Sequence, residues 1–266
     1  MSSPALQTRV TALFGCDVPI VQTGMGWVAG ARLTSATSAA GGFGILASAT
    51  MTLTELRDAI HSVKERTDRP FGVNLRADAP DADARVDLLI AEDVRVASFA
   101  LAPGRDQIAK LKDNGVIVVP SIGARRHAEK VAEWGVDAVI VQGGEGGGHT
   151  GPVPTTLLLP QVVDAVDIPV IAAGGYFDGR GLVSALAYGA AGIAMGTRFL
   201  LTSDSPVGAE VKQQYLAASV TGTVVTTRID GVRHRVLRTP FVDALERSGR
   251  LAALARSARH AAAFRR

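Results

Sequence analysis

Eight short runs of β-branched and aliphatic residues recur through the first 200 positions, each separated from the next by a segment that reads as a helix with one polar face. They are "VPIVQ" from Val18, "FGILAS" from Phe43, "FGVNL" from Phe71, "VRVASFAL" from Val94, "VIVVPS" from Val116, "AVIVQ" from Ala138, "PVIAAGG" from Pro169 and "GIAMGT" from Gly192. Between them lie segments such as "TLTELRDAIHSVKERTD" from Thr52 and "ARRHAEKVAEWG" from Ala124, the latter stopped by Gly135 as a C-cap. Strands joined by helices pair in parallel, because each crossover returns the chain to the same end of the sheet. Eight such units close a (β/α)8 TIM barrel, a fold of about 250 residues, and the chain has 266. An open doubly wound sheet alternates in the same way and is the second architecture considered.

The pattern changes after Thr202. "SPVGAEVKQQYLAASV" reads as a helix, "TVVTTRIDGVRHRVLRTP" as two strands with "DG" at a hairpin turn, and the rest as an Ala/Arg-rich helix. The expected organisation is a barrel over residues 1–203 with a helical and hairpin appendage, 204–266, packed on it.

With 47% hydrophobic and 20% charged residues the chain can fill a large core. The single cysteine, Cys16, forms no internal disulfide, and neither CxxC nor HExxH spacing occurs, so no metal site is expected and a reducing, cytoplasmic location is. No secretory core and no apolar run of about 18 residues appears, which predicts a soluble protein without a membrane span. Of the chain's net charge of +3, the stretch Arg228–Arg266 carries +7, leaving −4 on the first 227 residues. That charge suits a solvated face or an anchor for a phosphate-rich ligand. Nucleic acid is not indicated, because no recognition motif accompanies it. Assembly into a homo-oligomer is left open.

In a (β/α)8 barrel the chemistry gathers at the C-terminal ends of the strands. Those ends deliver Gln22 to Gly26, Asn74, Ser121, Gln142 with the glycines of "GGEGGGH", Ala172 to Gly179, and Met195 to Phe199. Gly174 and Gly175, with Gly196 and Thr197, bare backbone N–H groups after strands seven and eight, where this fold recurrently binds phosphate. "GMGWVAG" spaces its glycines as GxGxxxG and lacks the acidic residue of a dinucleotide fold about 20 positions later, so a Rossmann site is discounted. His149 is the one histidine at the mouth, and an imidazole can hold or give a proton near neutrality. His61, His127, His234 and His260 read as surface residues. Glu145 either orients a ligand or loop or serves as a cap. Cys16 reads as structural.

The segments "PIVQTGMGWVAG", "AGGFGILAS", "FGVN", "QGGEGGGHTG", "AAGGYFDGRG" and "GTRFLLTSDS" resemble the nitronate monooxygenase (2-nitropropane dioxygenase) family of FMN-dependent TIM barrels, which includes flavin-dependent enoyl-acyl-carrier-protein reductases. The resemblance implies FMN, with its phosphate on Gly174, Gly175, Gly196 and Thr197. It places the ring against Gly24, Met25, Asn74 and Gln142, adds Gly26, Ser121 and Met195 to the cofactor site, and lets the backbone of Gly146, Gly147 and Gly148 approach the ring edge. His149 matches the family's catalytic histidine. Arg198 in "GTRFL" and the lack of a lysine in "VVPSIG" lie nearer the thioester-using branch. "PIVQTGMGWVAGARL", "GILASATMT" and "VTTRIDGVRHRVLRT" are similar to actinobacterial FMN-dependent dehydrogenases of CoA thioesters in steroid C/D-ring breakdown. Members of that branch continue beyond "AAAFRR", so the chain is expected to be a fragment. The implied activity is hydride transfer between flavin and a CoA-linked acid, an acyl-CoA. The alternatives are nitronate oxidation, a non-redox isomerase or lyase of a phosphorylated metabolite, and a non-catalytic flavin-binding scaffold.

Overall fold

Strand β1 (Ile20–Gln22) pairs in parallel with strand β9 (Gly192–Met195), Val21 opposite Ala194, and this pairing joins the two ends of the sheet. The computed structural model describes residues 4–249, 252–253 and 255–259. Around the ring from β1 stand β2 (Phe43–Ala47), β3 (Gly72–Leu75), β4 (Val96–Phe99), β5 (Ile117–Ile122), β6 (Val139–Gln142) and β8 (Val170–Ala173), completed by β9. The expected eight-stranded barrel is therefore closed, and the open sheet is excluded. The strands are shorter than the sequence runs, four residues in β4 for example, because the run ends lie in the connecting loops.

Alternation divides the apolar residues into two layers. Phe43, Ile45, Val96, Val119, Ile140 and Ile171 fill the barrel interior. Their outward neighbours, such as Val73, Val118, Val139 and Ile193, meet the surrounding helices. Helix α1 (Arg9–Phe14) closes the N-terminal end of the barrel, its Phe14 ring 4.5 Å from that of Phe43. Cys16 belongs to this plug, and burial pushes its thiol up to about 11.

Seven helices follow the first seven barrel strands: α2 (Ala31–Ala39), α3 (Leu53–Lys64), α4 (Ala82–Ala91), α5 (Arg105–Asp113), α6 (Arg125–Glu133), α7 (Thr155–Val163) and α8 (Gly179–Ala187). Helix α3 starts at a capping box of Thr52 and Glu55, and Gly135, at φ 84°, follows α6. The eighth unit departs from expectation: β9 is followed by α9 (Thr197–Leu200), only four residues long. Beside it a cavity of about 270 Å³ remains among Ile20, Leu182, Ile193, Met195 and Phe199.

Helix α10 (Ala209–Ala217) and an antiparallel hairpin, β10 (Thr223–Thr226) and β11 (His234–Leu237), follow, then α11 (Pro240–Arg247). The hairpin does not stand alone. Strand β11 pairs with β7 (Gly148–His149), two residues of the glycine loop after β6. The described residues 252–253 and 255–259 are helical, and the remainder of the expected Ala/Arg-rich helix, with His260, lies outside the described residues.

Helix α2 lies so close to β2 that a Cβ on Gly44 would stand 2.2 Å from the Thr34 carbonyl oxygen. Backbone cannot yield as a flexible side chain does. Gly44→Ala is expected to cost about 3 kcal/mol, the upper part of the overpacking range, read as a fall in Tm of roughly 6–12 °C in thermal unfolding.

Candidate active site

The interior of the barrel is apolar until the last inward position of several strands, where it turns polar. Asn74 on β3 stands in register with Ser98 on β4, and its amide donates to the Ser98 hydroxyl at 3.3 Å. Ser121 on β5 and Gln142 on β6 continue this rim, both half-buried. Gly24, on the loop after β1, packs on Asn74 so tightly that a Cβ would meet the Asn74 Cβ at 2.5 Å. Met25 reaches Gly196 from the same loop, its sulfur 3.4 Å from where a Gly196 Cβ would be, and Gly26 is exposed beside it. Trp27 adopts φ 60°, the left-handed region a bulky side chain avoids, and leaves 67% of its surface exposed. Met195 reaches the mouth by its backbone alone. Its side chain is turned outward into the strand–helix layer, because Ala194 takes the inward position on β9, so only its backbone serves the mouth, accepting from the Thr23 N–H at 3.1 Å.

The glycines after β6 serve different ends. A Cβ on Gly143 would lie 2.0 Å from the Thr155 hydroxyl, and one on Gly146 2.6 Å from the Gln142 amide nitrogen. Gly143 is required by its packing against the Thr155 backbone, while Gly146 packs on the Gln142 side chain. Gly147 lies against the Thr197 hydroxyl, while Gly148, at φ 74°, faces open space. Across the loop, Gly174 at φ 101° and Gly175 at φ 83° turn the chain after β8 against Gly146 and Glu145. The predicted residues Gly147, Gly174, Gly175, Gly196 and Thr197 thus gather on one side of the mouth.

Glu145 is a cap. Its carboxylate accepts from the Thr155 N–H at 2.8 Å and from the Thr155 hydroxyl at 2.7 Å, at the start of α7, where Pro154 supplies no side-chain cap. Burial works to raise its pKa, but the bonds from Thr155 outweigh it and hold the carboxyl below its usual value. The loop is held from the other side by Arg235 on β11, which gives the Gly144 carbonyl two N–H groups at 2.9 and 3.2 Å.

His149 is fixed at both backbone and ring. Its carbonyl accepts from the Gln142 amide at 2.6 Å, and its Nε2 lies 2.8 Å from Asp230 Oδ2 on the hairpin loop. Asp230 Oδ1 accepts from the Val232 N–H at 3.0 Å and lies 3.2 Å from His234 Nδ1, without the alignment of a hydrogen bond. The two imidazoles approach to 3.7 Å between centroids, tilted by 45°. His234 is therefore no surface residue, because β11 pairs His234 opposite His149 and leaves its side chain only 16% exposed. Burial, then the neighbouring His149, pushes the His234 pKa down. Burial acts to raise that of Asp230, but the Val232 amide and the His149 ring overcome it and keep the carboxylate ionised. The donor atoms of His149, Asp230 and His234 lie within 4.8 Å of one another, a donor set zinc can use, although the direct His149–Asp230 bond already satisfies that pair. Sequence reading missed Asp230 and Arg235; the signal available was "RIDGVRHR", which reveals a hairpin but not what it pairs with.

With this geometry the chain falls into a known class. The family model for nitronate monooxygenase matches residues 7–84 and 80–265, and the chain belongs to that family of flavin-dependent oxidoreductases. Among relatives, it is 67% identical over 264 residues to a protein of Mycobacterium tuberculosis (strain ATCC 25618 / H37Rv) and 65% identical over 260 residues to one of Rhodococcus jostii (strain RHA1). Both are named (3aS,4S,5R,7aS)-5-hydroxy-7a-methyl-1-oxo-octahydro-1H-indene-4-carboxyl-CoA dehydrogenase, and each match covers 98% of this chain and 74% of the relative. Among solved structures, FabK from Thermotoga maritima superposes with a TM-score of 0.88 at 42% identity, over 93% of this chain and 80% of that one. Among the described residues, no helix is long and apolar enough to cross a membrane.

Glu145→Gln is expected to weaken the start of α7 by about 1 kcal/mol near neutral pH. Because the folded-state pKa is lowered, the carboxylate's contribution is complete above its ordinary value of 4.5 and is lost as pH falls below it. Urea unfolding of native and variant protein from pH 7 to pH 4 should show the stability gap closing toward the acid end.

Proposed function

We propose that the chain is an FMN-dependent dehydrogenase of a CoA thioester of the hydroxy-oxo-indene carboxylate type. The observation that carries this reading is a polar barrel mouth beside an anchored imidazole, in a chain 67% identical to a dehydrogenase of such a thioester.

The residues present fit a flavin. Gly174 and Gly175 hold backbone angles that side chains rarely adopt, and with Gly196 and Thr197 they offer N–H groups to a phosphate. Asn74, Ser121 and Gln142 supply amides and a hydroxyl for a ring edge, while Gly24, Met25 and Gly26 line the opposite loop. Bound flavin would supply two-electron chemistry that no side chain can perform. The protein's own share is orientation and the accompanying proton, which His149 takes when the substrate loses a hydride and returns in the reverse direction. Trp27 and Phe177, the latter 59% exposed, offer apolar surface for a fused-ring acid, and the basic hairpin suits the phosphates of CoA.

The family description favours a second reading, oxidation of an alkyl nitronate. The purified protein is expected to be yellow and to release a compound of FMN mass. Under anaerobic mixing, the indene carboxyl-CoA thioester should bleach the flavin absorbance, whereas propionate-3-nitronate should not. Bleaching by the nitronate alone sinks the thioester reading, and absence of flavin after reconstitution sinks both. His149→Ala should keep the flavin and lose about 10²–10⁴-fold in kcat, the usual share of a general acid or base.

A further inference from the structure

We propose that Asp230 and His234 are positioning residues for His149: the hairpin carboxylate engages Nε2, the second imidazole backs the ring, and Nδ1 is left as the nitrogen that meets the substrate proton. The assignment rests on the reading of His149 as the proton carrier. It adds which atom carries the proton and what part of the chain sets it.

Asp230 uses its two oxygens differently. Oδ1 closes the local turn on the Val232 N–H, and Oδ2 engages His149, 81 residues away in sequence. An ionised carboxylate only accepts, so a neutral His149 bonded to it carries its hydrogen on Nε2. The lone pair then lies on Nδ1, for which no partner is found among the described residues. His234 blocks rotation of the ring from one side at 3.7 Å. It does so largely uncharged, since burial and His149 itself disfavour its protonation. Arg76, on the turn after β3, is a further charged group that interacts with the carboxylate. Its pKa is raised first by hydrogen bonds to Asp78 and more weakly by Asp230. The hairpin loop therefore comes near two sides of the mouth, β6 through His149 and β3 through Arg76.

A purely structural role for the pair would hold the hairpin but leave the ring's tautomer alone, and this difference is measurable. Protein labelled with 15N in its histidine rings, the His149 signals identified by their loss in His149→Gln, should show His149 in the Nε2–H form in the native chain. In Asp230→Asn the new amide can donate to Nε2 as well as accept, so both tautomers should be populated. In the same flavin-loaded protein, kcat should fall about 10²-fold or more with KM within two-fold, as for other loss of an imidazole-orienting carboxylate. His234→Ala, which frees the ring, should lower kcat at unchanged KM, and His234→Phe, which keeps a flat ring in place, should restore most of it. An unchanged tautomer ratio in Asp230→Asn, or kcat within two-fold of native in either Asp230→Asn or His234→Ala, overturns the proposal. If the native protein does not turn over the thioester, the functional reading falls and the tautomer ratio alone decides the assignment.

Discussion

The pairing of β1 with β9 is the constraint on which the rest depends. Three opposed residue pairs, Ile20 with Ile193, Val21 with Ala194 and Gln22 with Met195, turn an extended sheet into a ring. Once closed, the ring has no free edge, and all eight strand ends must deliver their last residues to one opening. Residues as distant in sequence as Met25 and Gly196, or Gly147 and Thr197, become neighbours for that reason alone. The interior below them is filled by apolar side chains and plugged by Phe14, and polar groups gather at the top.

A second constraint is the crowding between the loops after β6 and β8. Gly143 and Gly146 leave no space for a methyl group, and Gly174 would drive one against the Gly146 nitrogen. The loops can lie this close only because both are nearly bare backbone, and they stay there because Glu145 ties one to α7 and Arg235 ties it to the hairpin. The packing leaves Gly147 and Gly148 as the part of the run still facing outward.

Much of this was legible in the sequence, for physical reasons that differ from residue to residue. Continuous apolar runs alternating with amphipathic segments carry the barrel, because a strand buried on both faces needs apolar residues throughout. Gln142, Asn74 and the glycine pairs were legible because position in a barrel strand predicts position at the mouth. The outward turn of the Met195 side chain was not legible, because strand ends say nothing about which face the final side chain takes; that depends on the register of Ala194. Asp230, His234 and Arg235 were invisible as site residues because their role arises from β7 meeting β11, a pairing between segments more than 80 residues apart that no local pattern encodes. The four-residue α9 was likewise hidden, since "GTRFLLTSDS" is apolar enough to pass for the start of a full helix.

That distant pairing also orders events in time. On a ribosome, the eighth barrel strand is complete at Met195, yet the carboxylate that holds His149 is 35 positions further on, and the strand that backs it follows. At synthesis rates of about 5–20 residues per second, the barrel strands are all available seconds before their imidazole is anchored. A nascent chain at that stage can have the glycines after β8 and β9 gathered at the barrel mouth while the His149 imidazole still swings freely, so the mouth takes shape before its histidine is fixed.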